Sequence, residues 1–267
     1  LDGRDPLWLN AELIDPLYGI SEVRWRADGK QFTLERVERG YTAFSLIEVD
    51  TTSRKQRVLV EERSEKFVFV NRKTFRHDLN RGEEVLWMSE RDGYAHLYLL
   101  SGEDGSVIRQ LTSGQWIVRR VVEVDEKGRT VLLSVAGRVA DQNPYQLQWI
   151  RVAIDSGEIT ALTEADGNHE LILSPDRKQF VATWSRPDRA PVHELRDFST
   201  GELVLELERA RMADVSAKGW RLPQRVVAKD RNGEYNIHGL VYYPRPFDPQ
   251  KKYLVLLAVQ LICKLTL

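Results

Sequence analysis

The chain has 267 residues, 42% of them hydrophobic, enough to build a core in one large domain or two small ones. With 39 Lys+Arg against 40 Asp+Glu the net charge is -1, which offers neither the basic field that nucleic acid requires nor an acidic tail. The single cysteine, Cys263, excludes an intramolecular disulfide framework and a Cys-rich zinc module, and leaves secreted, periplasmic and cytoplasmic settings all open.

Residue 1 is Leu and no charged-then-apolar leader follows, so the N-terminus reads as a fragment or processed boundary. From Val23 onward, short alternating apolar runs are punctuated by turn residues, the pattern of a β-rich chain. A repeat of about 50 residues runs through them. Each unit opens with a tight polar turn leading into a strand: Ala27-Asp28-Gly29-Lys30, Asn80-Arg81-Gly82-Glu83, Glu126-Lys127-Gly128-Arg129 and Pro175-Asp176-Arg177-Lys178. A second hairpin follows in each, turning at Thr51-Thr52-Ser53, Asp104-Gly105, Ser156-Gly157 and Thr200-Gly201.

Two hairpins per unit make a four-stranded sheet, and four such units fill residues 20–208. A β-sandwich also has short, evenly spaced strands, but it does not require the same two turns to recur in the same order four times. The expected fold is therefore all-β, a partial β-propeller of about four blades, because stacked blades bury apolar faces that none buries alone. Residues 1–19 are assigned to a preceding blade or linker.

Composition changes after Leu207. The charged, Ala-containing stretch Glu208 to Lys218 predicts a short helix or linker, and residues 209–223 form the boundary. Strands are expected at Gln224 to Lys229 and Ile237 to Tyr243, with Asn232-Gly233 as a tight hairpin turn between them. Pro244, Pro246 and Pro249 mark a loop before a strand at Tyr253 to Leu257. The longest apolar run, Tyr253 to Cys263, is shorter than the roughly 20 residues of a membrane-spanning helix and reads as a buried strand.

Three stretches carry more than pattern. Trp87-Met88-Ser89-Glu90-Arg91-Asp92-Gly93-Tyr94-Ala95-His96-Leu97-Tyr98, followed by Gln110-Leu111-Thr112-Ser113-Gly114-Gln115-Trp116, resembles a segment of the dipeptidyl peptidase IV branch of the prolyl oligopeptidase family. Leu162 to His169, Ser174-Pro175-Asp176 and Ala190 to Leu195 are similar to that family's final propeller blade. Val227 to Gly233, Ile237-His238-Gly239 and Phe247 to Tyr253 resemble the junction where its α/β-hydrolase domain begins.

The resemblance implies an eight-bladed propeller over a hydrolase domain with a Ser-Asp-His triad that releases N-terminal dipeptides, commonly after proline. On that reading residues 20–208 are four of the blades, and 224–267 are the truncated start of the hydrolase domain with an atypical tail. The implied partners are peptide substrates in the full-length enzyme, the remaining blades and the hydrolase domain. Exposed blade edges also predict association between copies of the chain. The alternative is a non-enzymatic propeller used as a binding scaffold.

No G-x-S-x-G nucleophile elbow occurs, so no catalytic residue is assigned and the chain is expected to be inactive alone. His77, His96, His169, His193 and His238 sit in strand or turn contexts and are read as hydrogen-bonding groups of the blades and junction. No HExxH, paired-cysteine or calcium-loop spacing is present, so neither metal nor cofactor is expected. Glu61-Glu62 and Glu83-Glu84 are read as solvated surface pairs. Glu90-Arg91-Asp92-Gly93 is read as a structural turn whose arginine holds neighbouring loops, and Trp25, Trp87, Trp116, Trp184, Tyr98 and Tyr145 as packing between blades.

Overall fold

The computed structural model describes residues 17–21, 23–68, 70 and 74–256. They form four blade-type sheets in chain order and a final hairpin. The first sheet contains β1 (Leu17–Ile20), β2 (Arg24–Trp25), β3 (Gln31–Glu38), β4 (Ala43–Asp50) and β5 (Gln56–Arg63). The second is β6 (Arg76–Leu79), β7 (Glu84–Ser89), β8 (His96–Ser101) and β9 (Val107–Gln110). The third is β10 (Ile117–Asp125), β11 (Thr130–Ala136), β12 (Leu147–Ala153) and β13 (Ile159–Ala161). The fourth is β14 (Asn168–Leu173), β15 (Gln179–Arg186), β16 (Arg189–Asp197) and β17 (Leu203–Arg209). A one-turn helix α1 (Ala213–Ala217) precedes the antiparallel hairpin β18 (Gln224–Lys229) and β19 (Asn236–Val241).

In the second, third and fourth sheets consecutive strands are neighbours, as the recurring turns predict, and in the first the order is β1-β3-β4-β5 with β2 also pairing β3. The fold is all-β, a partial propeller of four blades. By its internal contacts the chain divides into two compact units, Leu1–Leu133 with Val152–Ile159 and Ser134–Arg151 with Thr160–Leu267.

The four second-hairpin turns share one construction. The N–H groups of Arg54, Gly105, Gly157 and Gly201 each donate to the carbonyl four residues earlier, on Asp50, Ser101, Ala153 and Asp197. All four residues are left-handed, with φ of 64°, 75°, 76° and 78°. Asp50, Asp104 and Asp197 cap their turns by accepting from backbone N–H groups two or three residues on, at 2.6–3.0 Å. Each turn is also tied back to the first turn of its own blade: Thr51, Gly102, Ile154 and Phe198 donate to the carbonyls of Lys30, Glu83, Arg129 and Lys178 at 2.7–2.9 Å.

Three of these turns reach the outer strand of the blade before. A Cβ on Gly105 would strike the Leu59 carbonyl, and one on Gly201 the Ala161 carbonyl, while Gly157 lies against the Arg109 side chain. Arginines reinforce two of these contacts, Arg57 donating to the Glu103 carbonyl and Arg109 to the Ser156 carbonyl.

The central strands carry the core. β7 and β8 are buried on both faces for nearly their whole length, whereas the outer strands β9 and β17 are exposed throughout. Between the first two blades, Phe44, Leu46, Leu59 and Val60 pack against Val85, Trp87, Tyr98 and Leu100. Phe44 stacks on Trp87 with ring centroids 4.9 Å apart and planes 13° apart.

Several expectations need correction. The first blade begins at Leu17 rather than residue 20, because β1 and β2 both pair with β3 and together make one interrupted inner strand. The β18–β19 turn is wider than a two-residue Asn-Gly turn, because Asp230 Oδ1 accepts from the N–H groups of both Glu234 and Tyr235 and draws six residues into the loop. Residues 252–256 form no strand, and Leu254, Val255 and Leu256 lie exposed, since no described strand pairs with them to cover both faces. Residues 1–16, Leu257 and the tail 258–267 with Cys263 lie outside the described residues. Trp87, Trp116, Trp184 and Tyr98 are buried as expected, but Trp25 is 57% exposed and touches Phe32 edge-on.

Candidate functional site

Each blade has a plain end and an elaborate end. The plain end carries the capped tight turns described above. The elaborate end carries the loops that follow the second and fourth strands, and the motif residues gather there.

In the second blade the Leu111-Thr112 pair shows why that motif exists. Both N–H groups converge on the Leu97 carbonyl, and Thr112 Oγ1 accepts from Leu97 N–H at 3.0 Å. Leu162-Thr163 repeats the arrangement on Trp149, with Thr163 Oγ1 accepting from its N–H at 2.9 Å. His96, fully buried, bridges Thr112 Oγ1 and the Gly114 carbonyl at 2.9 Å each and stands edge-on to Trp116.

Glu62 is the largest departure from the sequence reading. Its carboxylate lies inward, accepting from Trp87 Nε1 at 2.9 Å, Ser89 Oγ at 2.8 Å and Arg91 Nη2 at 2.9 Å. It is a solvated surface group only in sequence: the alternation of β5 points Glu61 outward and Glu62 toward the next blade. Glu61 stays at the surface with Arg63, whose hydrogen bond and charge hold its carboxyl below the usual range. Glu84 is likewise a bridge, gripped by Arg129 Nη1 at 2.9 Å. Arg91 holds neighbouring elements through Glu62 on the preceding blade, an acid other than those that flank it in sequence, and lies 4.8 Å over the Tyr98 ring. Burial first, then the nearby Asp92 charge, pushes the Tyr98 hydroxyl up to about 12.

The elaborate end of the second unit holds a cavity of about 530 Å³. One wall is the loop after β11, with Asp141, Gln142 and Tyr145; the other is the β18–β19 hairpin, with Arg225, Tyr235 and His238. Asp141 adopts a left-handed φ of 62°, uncommon for a residue other than glycine. Tyr145 is 45% exposed rather than packed between blades, its ring edge-on to His238 at 6.2 Å. Burial first, then the neighbouring Arg225 charge, lowers the His238 pKa.

The hairpin is fastened beside the cavity by Arg225, whose Nη1 reaches Asp166 Oδ2 at 3.5 Å. Asp166 is also paired with Arg186, which grips Asp188 through Nε at 2.6 Å and Nη2 at 2.9 Å.

Of the five histidines, only His238 faces this cavity. His169 Nε2 donates to the Ala165 carbonyl at 2.9 Å, His193 meets Thr183, and His77 meets Glu126. Burial lowers the His169 pKa. No group of three or more His, Cys, Asp or Glu residues converges on a metal position among the described residues. No described helix is long and apolar enough to cross a membrane. The cavity could not be read from the sequence, because its two walls are some 80 residues apart along the chain and no local spacing links them.

Comparison with known proteins supports the same architecture. The putative dipeptidyl aminopeptidase IV from Bacteroides ovatus superimposes with a TM-score of 0.66 at 21% identity, covering 88% of this chain and 35% of that protein. Porphyromonas gingivalis dipeptidyl peptidase 4 gives a TM-score of 0.64 at 19% identity, covering 86% of this chain and 32% of that protein. The chain thus spans about a third of the length of these relatives. The model of the dipeptidyl peptidase IV (DPP IV) N-terminal region matches residues 9–191, well over half of the sequence, and the chain belongs to that family.

Proposed function

We propose that these 267 residues are the propeller portion of a serine exopeptidase that releases N-terminal dipeptides, with Pro or Ala in the second position. The family match over residues 9–191 carries this reading. In this arrangement the blades narrow access to the active-site cavity and position the peptide N-terminus, while hydrolysis belongs to a triad on a hydrolase domain that opens with the β18–β19 hairpin.

Acyl transfer by serine needs a nucleophile on a strained turn, a base within hydrogen-bond reach and donors aimed at the developing oxyanion. The sequence holds no G-x-S-x-G turn. The histidines described above are engaged with backbone, threonine, glutamate or tyrosine groups rather than with a serine. The chain by itself is accordingly inactive.

The test has two arms. The purified chain should leave Gly-Pro and Ala-Pro p-nitroanilides intact, and the same chain continued through a complete hydrolase domain should cleave them in a manner blocked by serine-directed reagents. Cleavage by the 267-residue chain that those reagents block would overturn the inactive-fragment reading. Inactivity of the continued protein on every dipeptidyl amide would overturn the peptidase reading and favour a scaffold.

A further inference from the structure

We propose that the cavity between the loop after β11 and the β18–β19 hairpin is a recognition site for a monoanionic carboxylate joined to a flat apolar or aromatic body. This goes beyond the peptidase reading and stands or falls without it.

The volume of about 530 Å³ falls within the roughly 300–1,000 Å³ of small-molecule sites. The cation of the lining is Arg225, whose one ion pair among the described residues is to Asp166 at the long distance of 3.5 Å. A guanidinium carries five N–H donors. Arg186 meets Asp188 through two nitrogens at 2.6 and 2.9 Å and Asp166 besides, and Arg129 meets Glu84 and Asp155. Arg225 has no such fork-to-fork partner among the described residues, and its side chain lines the cavity and retains 25% exposure.

The charge balance selects the ligand. One guanidinium already leaning on Asp166, with Asp188 close enough to feel its charge, suits a single negative charge in a planar fork. A phosphate dianion would want a second cation, and Arg225 is the one Lys or Arg side chain in the lining. Asn236 supplies an amide for an acyl or peptide group, while the Gln142 amide is held by the Glu164 carbonyl and Gln148. Tyr145, Tyr235, Pro144 and Val227 supply the apolar wall, the two tyrosines each about half exposed.

The shared chemistry fits either the C-terminal end of a short peptide or a small free N-acyl amino acid. Calorimetric titration of the 267-residue chain separates them, using Ac-Ala-Pro-Phe with a free carboxylate, the same peptide as its C-terminal amide, N-acetylphenylalanine and phenyl phosphate. We expect saturable binding of at least one acid and at least ten-fold weaker binding of the amide and the phosphate. Binding of the tripeptide acid alone identifies a peptide end, and binding of both acids identifies the smaller unit as sufficient. Arg225→Gln should erase the preference for acid over amide, while Tyr145→Leu should weaken both alike. Equal affinity for acid and amide, tighter binding of the phosphate, or no binding of either acid at millimolar concentration overturns the proposal. The acid–amide comparison on the unaltered chain decides the matter even if a variant does not fold.

Discussion

The indole N–H of Trp87 donates to Glu62 Oε1 at 2.9 Å, joining a fully buried ring on the second blade to a carboxylate on the first. Ser89 and the part-exposed Arg91 use the same carboxylate, so its removal leaves the buried Trp87 and Ser89 donors without it and breaks the Arg91 ion pair. Glu62→Ala should therefore lower unfolding free energy by about 3 kcal/mol, whereas Glu61→Ala, its exposed neighbour, should cost less than about 1 kcal/mol. Urea denaturation of the two variants side by side checks this, and equal losses would refute the assignment of Glu62 as an interior bridge.

Glycines with the same backbone sign should differ according to what they touch. Gly29 and Gly105 both have positive φ, but open space surrounds the first and the Leu59 carbonyl faces the second. Alanine at 29 meets only the left-handed penalty, about 1–2 kcal/mol. Alanine at 105 must also push two blades apart, and we expect a loss above about 3 kcal/mol. Thermal melts of the two variants give the comparison.

Stability should fall as the solution is acidified through the histidine range. The ordinary histidine value is 6.5, and in the folded chain burial, with the Arg196 charge, lowers that of His169, against opposing contributions from the Ala165 carbonyl and Glu194. The unfolded chain therefore binds the proton first, and stability present above about pH 6.5 is lost as pH drops through that value. It levels off below the folded pKa. His238 acts in the same direction, while lowered carboxylates such as Glu61 act only at still lower pH. Chemical denaturation between pH 8 and 5 should show the decline, with a shallower slope in His169→Asn. An unchanged slope would place the pH dependence elsewhere.

The outer strand β17 predicts the solution behaviour of the chain. Leu203, Val204, Leu205 and Leu207 are all 46–56% exposed on a strand that, among the described residues, has a strand partner on one side only. Such an edge invites pairing with another chain. Light scattering of the isolated chain should show oligomers, and Leu205→Glu should shift the distribution toward monomer. A monodisperse monomer with cooperative unfolding would count against this.

What could be read in the sequence was local. Asp28-Gly29, Asp104-Gly105 and Thr200-Gly201 announce turns because backbone sign and side-chain capping are properties of adjacent residues, and their recurrence gave the blades. The Glu62 bridge and the Arg225 cavity were hidden for the opposite reason. Trp87 and Glu62 are 25 residues apart, and alternation along β5 separates Glu61 from Glu62 only once the buried face is known. Tyr145 and His238 meet only after the last hairpin returns to the loop after β11. The β18–β19 turn misled because Asp230, two residues before the Asn-Gly pair, captures the N–H groups beyond it.

The glycine contacts between successive blades have one more implication. At Gly105 and Gly201 the surface met on the preceding blade is a backbone carbonyl, which every amino acid presents. This one contact thus asks nothing of the side chains of the blade before it, and sequence-specific matching at the first junction falls to the Phe44–Trp87 core and the Glu62 bridge. The backbone contact can therefore persist while the outer-strand side chains around it change, whereas the buried side chains of the two blades must change together.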